Sequence, residues 1–318
     1  MREKCRKGER VSVRLIGFIV CLTIFAPPAF AGCEGPTISA GIHGDPVCIP
    51  SPPGRIVTLE PWLSLGTLVE LDAPVVGVPV LGIQDQTLRD EVEDASVADV
   101  GHPMQPSIER IIALQPDLIV GSAYIHEQIY EKLSRVAPTL LLEQMGWKEQ
   151  FLLLARIVGR LEHAQAVLAD YEKRAAAIRE RVPEGLKVSV VRIAPQGFQV
   201  YLDGPGAYAP YQVLSEAGIR RTGYETTPDD TMTKRPDWEE LGALDGDILL
   251  YVVASGMDPG PDEGLAARTL QSPIWQTLPA VKAGRAYRID RATWMGFHGI
   301  ASAHRVLDDV ERIILAEP

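Results

Sequence analysis

Histidine and cysteine are scarce, with six of the former and four of the latter in 318 residues. The histidines (His43, His102, His126, His163, His298 and His304) are scattered, and none forms the close pair that transition-metal sites use. A bare metal ion is therefore not the expected ligand. The chain has no Gly-x-Ser-x-Gly elbow, no Walker loop and no His-Glu-x-x-His helix, and Gly204-Pro-Gly206 lacks the spacing of a dinucleotide fingerprint. Catalytic residues and an intrinsic cofactor are not expected; an exported hydrolase using Ser122 is the remote alternative and would need a histidine beside it. Basic charge is short as well, 31 Lys and Arg against 42 Asp and Glu, which argues against nucleic acid as a partner. Long apolar runs are missing too, and the eleven residues Leu15 to Phe25 are too few to span a bilayer as a helix.

That short run fits another pattern. A basic start (Arg2, Lys4, Arg6, Lys7, Arg10, Arg14), the apolar stretch and Ala29-Phe30-Ala31 together read as a secretory signal over residues 1–31. It carries six basic and two acidic residues, so its removal leaves 25 Lys and Arg against 40 Asp and Glu, a formal charge of −15. An acidic surface repels an acidic ligand, so an anionic one requires arginine or lysine concentrated in a cleft. Cys5 and Cys21 leave with the signal. Cys33 and Cys48 remain as an even pair in an oxidising compartment, and a disulfide between them would contribute about 3 kcal/mol. The alternative makes Phe30-Ala31-Gly32-Cys33 a lipoprotein box with Cys33 acylated; it strands Cys48 and replaces the usual Leu with Phe30.

Residues 32–54 are rich in Gly and Pro and read as an extended N-terminal arm outside the core. Residues 55–146 alternate strand (Arg55 to Leu59, Val75 to Val80) with helix (Pro61 to Leu71), the pattern of a parallel α/β lobe. From Trp147, apolar residues recur at three- and four-residue steps, giving a connecting helix over 147–183; Gly159 leaves two packed helices as the other reading. Residues 184–318 open with the strand Lys187 to Ile193 and form a second α/β lobe. Ser107-Ile-Glu109-Arg-Ile111-Ile-Ala113-Leu114-Gln-Pro-Asp117 aligns with Asp237-Trp-Glu239-Glu-Leu241-Gly-Ala243-Leu244-Asp-Gly-Asp247 at a constant offset of 130. Each copy has a helix cap, a carboxylate two residues later and an Asp before a buried strand, so two lobes share one plan.

The ordered marks Arg55-Ile-Val-x-Leu59-Glu60, Asp99-Val-Gly101, Pro106-Ser-x-Glu109, Leu114-Gln-Pro116-Asp117, Ala137-Pro138-Thr139, Pro279-Ala-Val281-Lys-Ala-Gly284-Arg285-Ala-Tyr287 and Trp294 resemble the siderophore- and cobalamin-binding class of periplasmic solute-binding proteins, nearest the ferric hydroxamate and iron-dicitrate type. The resemblance covers about residues 55 to 315. It implies two similar α/β lobes joined by a long α-helix, with the ligand cleft between them and little movement on loading. It further implies a monomer that takes a ferric siderophore in the periplasm to the permease of an ABC importer. Cobalamin or haem on the same scaffold is the nearest rival ligand.

The repeat places Glu109 and Glu239 one per lobe, early in a helix where the dipole alone favours a carboxylate; the resemblance implies that they dock on basic residues of the permease, with Glu240 as the alternative to Glu239. For the cleft, residues where strands end are the candidates, Trp62, His102, Tyr124, Tyr208, Arg291 and Trp294, together with Arg192, which lies within the apolar strand opening the second lobe and must find an anion or a water-filled cleft. Aromatic rings meet the apolar skeleton of a chelate and guanidinium groups its anionic oxygens. Packing is the plain alternative for each Trp, and a structural salt bridge for Arg192. Ferric hydroxamate binders have an Arg two residues after the strand-end Val-Gly; here Pro103 stands there, which leaves His102, Met104 and Gln105, or a catecholate or carboxylate chelate held by Arg192 and Arg291.

Overall fold

The computed structural model describes residues 35–256 and 260–316. The signal region and Cys33 lie outside the described residues, so neither the cleavage site nor the partner of Cys48 is addressed by the fold. Two short strands open it, β1 (Thr37–Ile38) and β2 (Val47–Cys48), paired antiparallel. The first lobe contains β3 (Ile56–Thr58), β4 (Val75–Val78), β5 (Ala98–Asp99), the hairpin β6 (Gly101–His102) and β7 (Gln105–Pro106), then β8 (Leu118–Ser122) and β9 (Thr139–Leu142). The second contains β10 (Val188–Ala194), β11 (Gly197–Tyr201), β12 (Thr233–Lys234), β13 (Ile248–Val253) and β14 (Ala286–Arg288).

The first sheet runs β5-β4-β3-β8-β9, all parallel. The second runs β12-β11-β10-β13-β14, with β10, β13 and β14 parallel and β11 and β12 antiparallel at one edge. Buried on both faces, β8 and β13 read as continuous apolar runs, as parallel strands do.

The repeat is visible as hydrogen bonds. Asp117 accepts from the backbone N–H groups of Gly54 (2.7 Å) and Arg55 (2.8 Å), and Asp247 accepts from that of Lys187 (2.9 Å). In return the carbonyls of Arg55 and Lys187 accept from Asp117 (3.0 Å) and Asp247 (2.8 Å). Ser107 caps its helix by accepting from the N–H of Arg110, and Asp237 accepts from that of Glu240. The second copy continues as a short 3₁₀ turn, Glu240–Ala243, where the first is an α-helix, Ile108–Ala113. Glu239 thus precedes its turn, whereas Glu109 sits inside the helix.

Two expectations need correction. The described part of the N-terminal segment, 35–54, is not a peripheral arm: Ile38, Ile42 and Ile49 are buried in the first lobe's core with Ile56, Leu118 and Leu140, and the N–H of His43 donates to the carbonyl of Leu141 at 2.8 Å. Three isoleucines among glycines and prolines suffice to dock the segment, because full burial of each contributes roughly 1.5–3 kcal/mol.

The connector is two helices, Trp147–Ile157 and Leu161–Arg179, broken at Gly159, whose φ of +71° is a conformation that glycine alone adopts cheaply. The second of these, about 28 Å long at 1.5 Å per residue, is the longer bridge, although Trp147 at the start of the first is also buried in the second lobe's core. Ala164 is buried in the first lobe's core, and Leu168, Tyr171, Ala175 and Ile178 in the second's. No helix among the described residues is long and apolar enough to cross a membrane.

Candidate functional site

The lobes meet along a line of specific contacts. Gln144, after β9, reaches Met232 before β12 (3.3 Å), Thr67 donates to the carbonyl of His298 (3.4 Å), and Arg305 pairs with Asp85 (2.8 Å). Open α/β sheets bind ligands at the carboxyl ends of their parallel strands.

On the second lobe, Arg192 occupies β10 directly opposite Gln199 of β11. Its guanidinium donates to Gln199 Oε1 (3.2 Å) and twice to the carbonyl of Ala254 (3.2 and 2.9 Å). Among the described residues no carboxylate pairs with it, and a half-buried guanidinium bonded to neutral acceptors is suited to a charge-assisted bond with an incoming anion.

Two residues beyond Gln199, and on the same face, Tyr201 stacks on Tyr211 (4.9 Å, 14°) and leans on Tyr208 (5.6 Å). Burial raises the pKa of Tyr201, and Arg192 and the exposed Arg235 oppose that rise. Burial also lifts that of Tyr208, whose hydroxyl receives the N–H of Phe297. Both phenols stay protonated at neutral pH and can donate. The wall is thus two arginines and two phenols over packed rings, suited to an anionic, partly apolar ligand.

On the first lobe, β3 leads into a π-helical turn, Pro61–Leu65. Buried Glu60 holds that turn by accepting from the N–H groups of Trp62 (2.7 Å) and Leu63 (2.8 Å) and the hydroxyl of Ser64 (3.0 Å). Burial raises its pKa to about 7. The Trp62 indole donates to the carbonyl of Gly82 (3.1 Å), and a Cβ on that glycine would lie 3.0 Å from the ring. Trp62 is therefore aimed by two contacts while remaining half-buried.

His102 and Tyr124 lie further along this lobe. Tyr124 is 96 % exposed, and His102 lines a recess of about 410 Å³ with Met104, Gln105 and Ile129. His126 ties them together. Its Nδ1 accepts from the N–H of Ser122 (3.1 Å), so the protonated Nε2 donates to the carbonyl of Pro103 (2.8 Å), and burial keeps the ring neutral. Pro103, the position without the arginine, serves as an anchor for its loop.

Two sequence candidates prove structural. Arg291 is held by Asp262 at 2.6 Å and by the carbonyl of Gly256. Trp294 is fully buried against Tyr211, with its indole N–H on Asp309 (2.8 Å). Conversely Gln199, Tyr201 and Arg235 were not among the sequence candidates. The first two emerge only from strand register, and the third sits in a polar loop like any surface cation.

Comparison with known proteins matches residues 56–293 to the periplasmic binding protein pattern, well over half of the chain. The chain belongs to the periplasmic binding protein family. A probable siderophore-binding lipoprotein of Bacillus subtilis is 29 % identical over 84 % of both chains, and the Fe(3+) dicitrate-binding periplasmic protein of Escherichia coli is 26 % identical over 69 % of this chain and 71 % of its own. Staphylococcus aureus SirA, solved with staphyloferrin B, superposes with a TM-score of 0.74 at 22 % identity, over 88 % of this chain and 98 % of that one. The two-lobed arrangement of this periplasmic binding protein is thus that of the solved SirA structure.

Proposed function

We propose that this chain is the solute-binding component of an ABC importer, capturing a ferric siderophore in the cleft and delivering it to the membrane permease. The observation that carries the reading is Arg192, a half-buried guanidinium with no carboxylate partner among the described residues, set beside Tyr201 and Tyr208. A ferric chelate offers the oxygens and skeleton such a wall accommodates, whereas a bare ion would require converging side-chain ligands; the described residues hold no group of three or more His, Cys, Asp or Glu suited to a metal. With Pro103 in place of a loop arginine, carboxylate-rich chelates held by Arg192 and Arg235 fit better than hydroxamates. Glu109 and Glu239, both exposed, are the docking acids. The mature protein is a periplasmic monomer, freed by signal removal and closed at its front by a Cys33–Cys48 disulfide.

Quenching of intrinsic tryptophan fluorescence tests the ligand directly, using ferric citrate, a ferric hydroxamate, a ferric catecholate, cobalamin and haem. Saturable quenching by ferric citrate or another carboxylate chelate is expected. Binding of cobalamin or haem alone would overturn the assignment.

A further inference from the structure

Seven large apolar side chains are exposed among the described residues. Four of them (Leu63, Leu81, Met104 and Tyr124) follow strand ends of the first lobe, around the cleft. Of the remaining three, two stand beside the docking acids: Ile112, three residues after Glu109 and on the same helical face, and Trp238, immediately before Glu239.

These two are not equivalents in the repeat. At the offset of 130, Trp238 matches Ile108, which is half-buried against the first lobe's core, and Ile112 matches Gly242, where an added Cβ would meet nothing within 4 Å. Each lobe has therefore placed an apolar group beside its acid from a different position. The settings differ in charge as well. Asp237, Glu239 and Glu240 are exposed together on the second lobe, whereas Glu109 stands beside an Arg110–Asp99 pair (3.1 Å) on the first.

Trp238 is also braced. Its ring meets Phe198 edge-on at 4.6 Å, Phe198 stacks on Trp275, and Trp275 meets Tyr251, three buried rings behind one that is 37 % exposed. A ring held this way loses little side-chain freedom on contact, the property of interface hot spots.

Resting on the docking assignment above, we infer that the two docking surfaces are unequal, each an acid with an apolar anchor, and that Trp238 is the dominant anchor. The partner is the periplasmic face of the permease, offering a basic side chain next to an apolar pocket: indole-sized for the second lobe and small for the first. Acids at the rim govern association and its salt dependence, and the buried anchor governs dissociation.

The test uses the source organism's permease in lipid nanodiscs with the full mature chain, and reads both rate constants. Trp238→Ala should raise the dissociation rate at least tenfold, with association changed less than twofold and chelate affinity unchanged. Trp238→Phe should stay within threefold of wild type, and Ile112→Ala should have less than a threefold effect. If Trp238→Ala leaves dissociation unchanged while Glu239→Lys slows association, the docking acids stand and the anchor is refuted. If charge reversal at both acids leaves association unchanged, the docking assignment fails and this inference with it. Hydroxyl-radical footprinting of the unaltered chain provides a measurement independent of any folding defect: Trp238 should be protected by the permease, and unchanged labelling would refute its role.

Discussion

Glu70 of the first lobe and Ile300 of the second are joined by a 3.0 Å hydrogen bond, from the backbone N–H of Ile300 to the Glu70 carboxylate. Ala301 donates to the same carboxylate at 3.0 Å, so a side chain of one lobe caps the Ile300–Asp309 helix of the other. Gly299 makes the approach possible: its φ is +125°, and a Cβ there would lie 2.6 Å from the carboxylate. The favourable field of a helix N-terminus is gained at the cost of burial, which lifts the Glu70 pKa to about 7.

Replacing Glu70 with Ala should therefore lower stability by about 1–2 kcal/mol, the usual cost of a lost helix cap. Urea denaturation measures it, and a loss below about 0.3 kcal/mol would show that the cap is idle.

The same carboxylate sets a pH dependence. Folding raises Glu60 and Glu70 from 4.5 to about 7, so the stability they contribute is complete below pH 4.5 and lost as pH rises through about 7. His298 acts in the opposite direction: burial lowers it from 6.5 to about 4, so its contribution is complete above pH 6.5 and lost as pH falls through about 4. Thermal melts from pH 5 to 8 should show a flatter fall with rising pH in Glu70→Gln than in wild type, and parallel curves would refute the assignment.

Arg192 and Arg291 should separate cleanly. Arg192→Ala should weaken chelate binding at least tenfold, about 1.4 kcal/mol. Arg291→Ala leaves the buried Asp262 unpaired and should cost about 3–5 kcal/mol of stability instead. Titration calorimetry and denaturation on the two variants check this, and an unchanged dissociation constant for Arg192→Ala would remove it from the site.

Trp294→Ala empties a fully buried site and removes the donor to Asp309, so a loss of about 3–5 kcal/mol is expected. Its folded fraction should bind chelate as wild type does. A selective loss of affinity would return Trp294 to the cleft.

Local pattern revealed the strands, the repeat and Arg192. A cation inside an apolar strand is a conflict visible without coordinates, and Asp117 and Asp247 declare themselves by equal spacing. What escaped depended on partners remote in sequence. Arg291 looked available because Asp262 lies 29 residues before it, and Trp294 looked like a loop residue because nothing local shows that its ring turns inward. The isoleucines of 32–54 were hidden by their neighbours, since glycine and proline signal irregular backbone but not whether that backbone is buried. Tyr201 and Gln199 come beside Arg192 only once β10 and β11 are in register. Gly159 was flagged, but the break at its positive φ, and the two cores that the longer helix bridges, show only in the structure.

That bridge passes from one core to the other between Ala164 and Leu168, one turn inside an unbroken ladder of main-chain hydrogen bonds. Bending there would break those bonds without replacing them, so, on the proposed function, the outline of the molecule should be nearly the same with and without cargo. An importer inspecting this protein would then have to sense fullness through local cues at the cleft mouth, such as the posture of a side chain like Tyr124 or the chelate's own charge. Empty molecules would compete with full ones for the same landing place, and transport would slow whenever the protein greatly outnumbers its ligand.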